Sequence, residues 1–399
     1  MHPNVPPLRF PEFHGEWEKC KLGELAVKVG SGSTPKGGNA VYTTSGHCFV
    51  RSQNVGMGHL ILNDIAYIDE LTHQKQKSTE LRTNDVLLNI TGASIGRTAL
   101  ATEEINGGNV NQHVCIIRTN GNVEPSFICD YIQTSKIQKY IQSLQTGGSR
   151  EGLNFEQIRS FPINIPTVEE QVKIAKLLSL INERIATQSK LIEDLKKLKS
   201  AIIDYAINSL DTDFAKFSSL YEMAGEGGTP TTSNASFYDN GKIPFVKIDD
   251  LKKKYLTENK DFITELGLQK SSAWLVPTRS ILFSNGATIG EITITTYPVC
   301  TKQGILGIVP KPNIDVEFLY YFMSSSYFRK AVSRIVTEGT MKTAYLKDIN
   351  NIRCPIPKKE KQLDIAKMPS ALNFKIDFEQ SILKLFGSQK QYLLRQMFM

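Results

Sequence analysis

The sequence predicts an α+β protein in which two similar mixed α/β domains are separated by two long helices. The helices pair as an antiparallel coiled coil within the chain, about an internal pseudo-two-fold axis. Three observations carry this reading: a heptad seam, its recurrence 191 residues later, and a second recurrence upstream of each seam. The seam runs Ile174, Leu178, Ile181, Ile185, Gln188, Ile192, Leu195, Lys199, Ile202, Ala206, in steps of 4 and 3. Spacing near 3.5 residues marks a coiled-coil stripe rather than the broader face of an ordinary globular helix. Thr167 and Glu170 stand at capping-box spacing behind Pro166, and neither Pro nor Gly interrupts the run to Asn208. Glu183, Arg184, Lys190, Glu193, Asp194, Lys196 and Lys197 occupy the other faces. One helix of about 40 residues follows, roughly 60 Å long.

Its partner lies in the same chain. Adding 191 converts Ile174 to Ile365, Ala175 to Ala366, Ile181 to Leu372, Ile185 to Ile376, Ile192 to Leu383, Leu195 to Phe386 and Ile202 to Leu393. The polar seam positions recur too, Gln188 against Glu379 and Lys199 against Lys390. Pro369 stands where the first helix has Leu178. Proline removes a helical hydrogen bond, so the second helix is expected to bend or restart there.

The elements between the helices repeat in order. Residues 1–17 form a Pro-rich, extended arm, and the first domain spans 18–166. It opens with a turn-rich loop at 30–38, then strand-like runs at 48–51, 85–90 and 113–117, with Thr91-Gly92-Ala93-Ser94-Ile95-Gly96 between the last two. Residues 125–145 read as one amphipathic helix, and a glycine loop at 146–150, a short helix near Phe155 and a strand at 161–166 complete the domain. The first long helix covers 167–208, the second domain 209–357 and the second long helix 358–399. In the second domain Gly225–Pro230 repeats Gly30–Pro35, and Asn285-Gly286-Ala287-Thr288-Ile289-Gly290 repeats the turn at Thr91. Gln303 answers Gln112, and Thr337–Lys342 answers the glycine loop.

Composition narrows the class. The chain has 399 residues, 40 % apolar and 22 % charged, long enough for two or three domains. No apolar run reaches membrane-spanning length, and the first ten residues lack an apolar signal core, so a cytoplasmic protein is expected. The six cysteines are scattered without C-x-x-C, as suits reduced thiols rather than a disulfide framework or zinc site. A net charge of +7 permits nucleic-acid binding without demanding it.

Duplicated domains about a two-fold axis match the symmetry of a dimer that reads two DNA half-sites, with the helix pair as a ruler. The two domains differ in sequence, so the half-sites should differ. Candidate DNA-binding residues sit in corresponding loops: Arg51, Gln53, Asn54, Arg97, Asn109, Asn111, Gln112, His113 and Arg150 in the first domain. In the second they are Lys247, Lys252, Lys253, Lys254, Arg279, Lys302, Gln303, Lys342 and Lys347. Arg, Asn and Gln suit base edges, and Lys suits phosphates. A polar loop residue is more often simply solvated, and a charge run such as 252–254 is usually a solvated face. The glycine loops fit neither the Rossmann nor the Walker spacing, and a tight turn is the better reading of 91–96. No amino-methyltransferase motif and no nucleophile–histidine arrangement stands out. The acidic pairs Asp249-Asp250 and Glu169-Glu170 lack a metal-nuclease context, so no catalytic residue and no metal ligand is expected.

The arrangement resembles the specificity subunits of type I restriction–modification systems, essentially end to end. The residues that carry the resemblance are Leu8–Phe13 with Trp17-Glu18 and Leu22–Leu25, the Gly-x-Gly-x-Thr-Pro loops at Gly30 and Gly225, the Thr91–Gly96 turn with its counterpart, and the helix starts Pro-x-x-x-Gln-x-x-Ile-Ala at Pro166 and Pro357. The second start has Lys361 where the first has Glu170. The resemblance implies two target-recognition domains on double-stranded DNA, each reading half of a split asymmetric site, and helices that dock two methyltransferase subunits. It further implies restriction subunits that cut DNA using ATP and Mg²⁺. S-adenosylmethionine would bind the methyltransferase subunits, leaving no cofactor in this chain. A coiled-coil scaffold that binds only proteins, and a stand-alone methyltransferase or nuclease, are the competing classes.

Overall fold

The structure, a computed structural model, describes residues 4–37, 41–145, 152–286, 288–336 and 343–399. It divides into two units: residues 1–189 with 381–399, and residues 190–380. Each unit therefore takes a part of both long helices.

In the first unit β1 (Glu18–Lys21), α1 (Leu22–Leu25), β2 (Ala26–Ser31), β3 (His47–Val50), β4 (Ala66–Ile68) and α2 (Glu70–Lys75) lead to β5 (Val86–Asn89), β6 (Thr98–Leu100), β7 (Asn109–Val110) and β8 (Val114–Thr119). The helices α3 (Pro125–Gln133), α4 (Ser135–Gln145) and α5 (Phe155–Arg159), then β9 (Pro162–Ile165), precede the long helix α6 (Val168–Asn208). β2-β8-β5-β6 form an antiparallel sheet, β4-β3-β7 a smaller one, and β1 pairs with β9. β5 and β8 are apolar at nearly every position because both faces of the sheet are covered. Val86, Leu88, Cys115 and Ile117 pack toward α3 and α4, while Leu87 and Ile116 pack beneath Val50 and Val110.

The second unit repeats this plan. Its strands are β10 (Phe214–Lys216), β11 (Tyr221–Glu226), β12 (Ile243–Val246), β13 (Tyr255–Leu256) and β14 (Asp261–Ile263), followed after α7 (Glu265–Gln269) by β15 (Ile281–Ser284), β16 (Ile292–Thr295), β17 (Cys300–Thr301) and β18 (Ile305–Pro310). The helices α8 (Val316–Ser324), α9 (Ser326–Ile335) and α10 (Leu346–Ile349), then β19 (Arg353–Pro355), lead to α11 (Lys359–Gln396). The main sheet is β11-β18-β15-β16-β13, the small sheet β14-β12-β17, and β10 pairs with β19.

Four details depart from the sequence reading. The single helix expected at 125–145 is two, because Thr134 is extended (φ −62°, ψ 147°) between α3 and α4. Ser325 does the same between α8 and α9 (φ −68°, ψ 156°), its hydroxyl accepting the Phe328 N–H. Residues 4–17 are not a free arm: the Leu8 N–H donates to Gln396 O at 2.9 Å, and Trp17 is buried in the core with Phe127 and Phe398. Glu170 does not close a capping box on Thr167. Its buried carboxylate instead takes a bidentate pair from Arg9, Nε to Oε1 at 2.8 Å and Nη2 to Oε2 at 2.7 Å. Finally, α11 does not restart at Pro369 but runs through it for 38 residues.

Within each unit the helix segments join the domain core. Ile174, Leu178 and Ile181 of α6 share a cluster with Leu393 and Leu394 of α11 in the first unit. In the second, Ile203 and Ile207 share one with Ile365 and Ala366, and Lys199 Nζ donates to Asn373 Oδ1 at 3.0 Å.

Candidate nucleic-acid interface

The antiparallel ladder brings three loops to one end of the first sheet. Ser31 pairs with Cys115, Asn89 with Val114 and Leu88 with Thr98, so residues 32–37, 90–97 and 111–113 all leave from that end. The glycines make the approach possible. A Cβ on Gly32 would lie 1.7 Å from Val110 O, and Gly92 and Gly96 have φ of +67° and +84° in the tight turn.

A chain of hydrogen bonds knits these loops together. The Thr34 hydroxyl meets Gln112 Oε1, Gln112 Nε2 lies 3.1 Å from His113 Nε2, and His113 Nδ1 lies 2.6 Å from Thr91 Oγ1. Asn111 Oδ1 accepts the His113 N–H at 3.1 Å, and the Asn111 N–H donates to Val50 O at 3.0 Å, which sets Arg51 beside the cluster. Arg51 Nη2 donates to Asp64 O at 2.7 Å, and Gln53 Nε2 donates to Asp64 Oδ2 at 2.6 Å. Gly152 forms an isolated bridge with Thr91 at this end of the sheet.

The second unit builds the same place from other side chains. Glu226 pairs with Leu306 and Ser284 with Ile305, gathering residues 227–230, 285–286, 288–291 and 302–304. A Cβ on Gly227 would lie 2.2 Å from Thr301 O. Thr229 Oγ1 accepts the Gln303 N–H at 3.2 Å, and Glu226 Oε1 accepts the Gly304 N–H at 3.0 Å. The Lys302 N–H donates to Val246 O at 2.9 Å, which brings Lys247 alongside as Arg51 is brought in the first unit. Asn285 and Ala344 exchange backbone and side-chain bonds, so Tyr345 and Lys347 emerge at this edge, the ammonium 5.5 Å from the Tyr345 ring centroid.

The candidates therefore divide. Arg51, Gln53, Arg97, Asn111, Gln112 and His113 gather in the first unit, and Lys247, Lys302, Gln303 and Lys347 in the second. Arg97, Gln112, Lys302, Gln303 and Lys347 are exposed. Asn54, 1 % exposed, is a structural residue, its Oδ1 accepting the Arg51 N–H and its Nδ2 donating to Ile61 O. Asn109, fully buried, holds His73 and Gln76 O, and neither asparagine can reach a ligand. Lys254 is 5 % exposed and ion-paired with Glu317, so the Lys252–Lys254 run is not one solvated face. Lys252 and Lys253 do face solvent, paired with Asp249 and Glu258 across a groove of about 740 Å³ that four carboxylates line. Arg279 precedes β15 and so lies at the opposite end of that strand from the cluster. Arg150 and Lys342 lie outside the described residues.

Sequence reasoning missed Thr34 and Thr229, although both belong to the repeated Gly-x-Gly-x-Thr-Pro string that signals them. It also missed Tyr345 and the aspartates that hold the basic residues, Asp64 against Arg51 and Gln53 and Asp261 against Lys247. Among the described residues no cluster of His, Cys, Asp or Glu could hold a metal ion, and no helix is long and apolar enough to cross a membrane. The arrangement offers amide, imidazole and guanidinium groups at one cluster and ammonium and amide groups at the other, a mixture suited to base edges and phosphates.

Comparison with known proteins supplies the context. The pattern of the type I restriction modification DNA specificity domain matches twice, at residues 14–197 and 212–385. The putative type I restriction enzyme MjaX specificity subunit of Methanocaldococcus jannaschii is 23% identical, covering 92% of this chain and 89% of that protein. The type I restriction enzyme HindI specificity subunit of Haemophilus influenzae is 19% identical, covering 82% and 86%. Among solved structures, the type I restriction-modification S subunit from M. genitalium aligns over 99% of both chains with a TM-score of 0.58 at 16% identity. A chain from a structure of type I R-M complex assembly and conformational transition aligns over 97% of this chain and 98% of its own, with a TM-score of 0.59 at 16% identity. These two likenesses concern the fold.

Proposed function

The chain belongs to the type I restriction–modification DNA specificity family, and from that premise we propose that it is the non-catalytic DNA-reading subunit of such a complex. Each unit reads one half of a bipartite, asymmetric site on double-stranded DNA. The long helices set the spacing and dock two methyltransferase subunits, to which restriction subunits add. S-adenosylmethionine, ATP and Mg²⁺ belong to those partners, and the complex works in the cytoplasm.

The observation that carries this reading is the loop cluster built twice on one backbone plan with different side chains. Asn111, Gln112 and His113 in one unit answer Lys302, Gln303 and Gly304 in the other. Gln112 and Gln303 can bind an adenine edge bidentately, with Arg97, Lys302 and Lys347 on flanking phosphates. Because the two sets differ, the two half-sites differ. Exposed apolar side chains on the helices of the second unit, among them Leu198, Tyr205, Phe374 and Phe378, support protein docking. They also favour the alternative reading, a coiled-coil scaffold without sequence-specific DNA recognition.

Genome-wide methylation mapping separates the two. A host expressing this chain with its cognate methyltransferase should show a split motif with an undefined spacer, absent without the chain. Exchange of residues 18–166 for another such domain should alter one half of the motif only. A stable complex whose methylation pattern ignores this chain would leave the scaffold as the better account.

A further inference from the structure

The cations of the two loop clusters fall into two classes. Arg97, Lys302 and Lys347 are exposed, and among the described residues no carboxylate pairs with any of them. Arg51 and Lys247 follow the central strand of each small sheet, and an aspartate holds each one. Arg51 Nη2 donates to Asp64 O at 2.7 Å and lies 3.3 Å from Asp64 Oδ2, which also accepts from Gln53 Nε2 at 2.6 Å. Lys247 Nζ lies 2.8 Å from Asp261 Oδ1. The two aspartates are not counterparts in the repeat. Phe49 pairs with Ala66 and Phe245 with Asp261, so Asp261 stands where the first unit has Ala66, and Asp64 lies two positions earlier, outside β4. The same cation thus takes its carboxylate from a different position in each unit.

A carboxylate here works against phosphate binding. It cancels the charge that draws a phosphate and repels the phosphate itself. What it provides is a fixed edge. The Arg51 guanidinium lies over the Tyr42 ring, 5.6 Å from its centroid, with Nε enclosed and Nη2 engaged by Asp64. Arg51 Nη1 and Asp64 Oδ1 have no partner among the described residues, so a donor and an acceptor stand free beside each other. In the second unit the Lys247 ammonium has donors to spare beside Asp261 Oδ2, which likewise has no partner among the described residues. In the major groove a G·C pair shows two acceptors, guanine N7 and O6, next to the amino donor of cytosine N4. An A·T pair instead sets its amino donor between two acceptors. A cation beside a carboxylate matches the first order and not the second.

We propose that Arg51 with Asp64, and Lys247 with Asp261, each read one G·C pair, the cation donating to guanine and the aspartate accepting from cytosine. Each half-site therefore contains such a pair. This assignment rests on the proposed function, in which Arg97, Lys302 and Lys347 take the phosphates.

The test uses the full chain with its cognate methyltransferase, with methylation mapping in the host and DNA affinity measured at two salt concentrations. Each half of the native motif should contain a G·C pair. Asp64→Ala, at an exposed position, should cut discrimination at one G·C pair about tenfold, in the half that exchange of residues 18–166 alters. The other half should stay as it was, which also shows that the variant folds. Asp261→Ala should do the same in the opposite half. Arg97→Ala should weaken binding and make it less salt-dependent without changing the motif. If the aspartates merely form surface bridges to phosphate-binding cations, Asp64→Ala binds more tightly, depends more steeply on salt and writes the native motif. That outcome, or a half-site without a G·C pair, overturns the assignment and leaves the proposed function standing. A methylation pattern that ignores the chain altogether overturns both.

Discussion

Asn84 and Arg279 occupy the same turn before the central strand of each sheet, with φ of +71° and +56°. Asparagine is among the few L-residues that take this conformation at low cost, whereas arginine is not. Arg279→Asn should raise stability by about 1 kcal/mol, read as a higher urea midpoint at unchanged slope. This also explains why Arg279 misled the reading of the sequence: a basic residue before a strand looks like a phosphate contact until its backbone is seen. Asn54, Asn109 and Lys254 misled it in a similar way. Their side chains satisfy buried backbone groups or carboxylates supplied from positions distant in sequence, and a list of residue types holds no sign of that. A second residue carries a pH signature. Burial pushes Asp130 up to about 7, against the attraction of Lys390 and the hydrogen bond from Gln133. The folded chain therefore keeps this proton at pH values where the unfolded chain has lost it. Stability should fall as pH rises from about 4 to about 7, by on the order of 1 kcal/mol per unit, and level off above. Asp130→Asn should flatten that slope in thermal melts.

At the scale of elements, the long helices were legible because their apolar stripe keeps one period for tens of residues, and a period survives any local exception. The structure places α6 at Val168–Asn208. Their ends were less legible. Glu170 has the spacing of a capping residue, but Arg9 lies 161 positions away and competes for the carboxylate with two charged hydrogen bonds. The broken helices at Thr134 and Ser325 were hidden because the amphipathic pattern continues across the break while the hydroxyl residue turns the backbone. Pro369 is the reverse case, a strong local breaker overridden by packing on both sides: Ile365 and Ala366 are buried before it and Ile376 after it. The strain remains, since the ring displaces a hydrogen bond to the preceding turn. Pro369→Ala should therefore raise the melting temperature, by an amount equivalent to between 1 and about 3 kcal/mol.

For the whole molecule, duplication was the most legible property, because it is written as a comparison of the chain with itself and needs no knowledge of contacts. It located the paired clusters, which is as far as the sequence reaches. Which of their residues face solvent depends on Asp64, Asp261 and the small sheets, whose pairings join positions far apart along the chain.

The division of the helices has a consequence for the order in which the protein can be made. Residues 190–380 form one unbroken stretch, and that unit can close as soon as it has left the ribosome. The first unit cannot, although its sheet is synthesised first. Trp17, Phe127 and Tyr131 wait for Leu393, Met397 and Phe398 to cover them. The domain translated earlier is thus the one completed later, the reverse of the usual vectorial sequence. A chain ending before residue 390 should hold a protected second unit beside a first unit whose amides exchange freely, which hydrogen-exchange mass spectrometry of the truncated protein would register peptide by peptide.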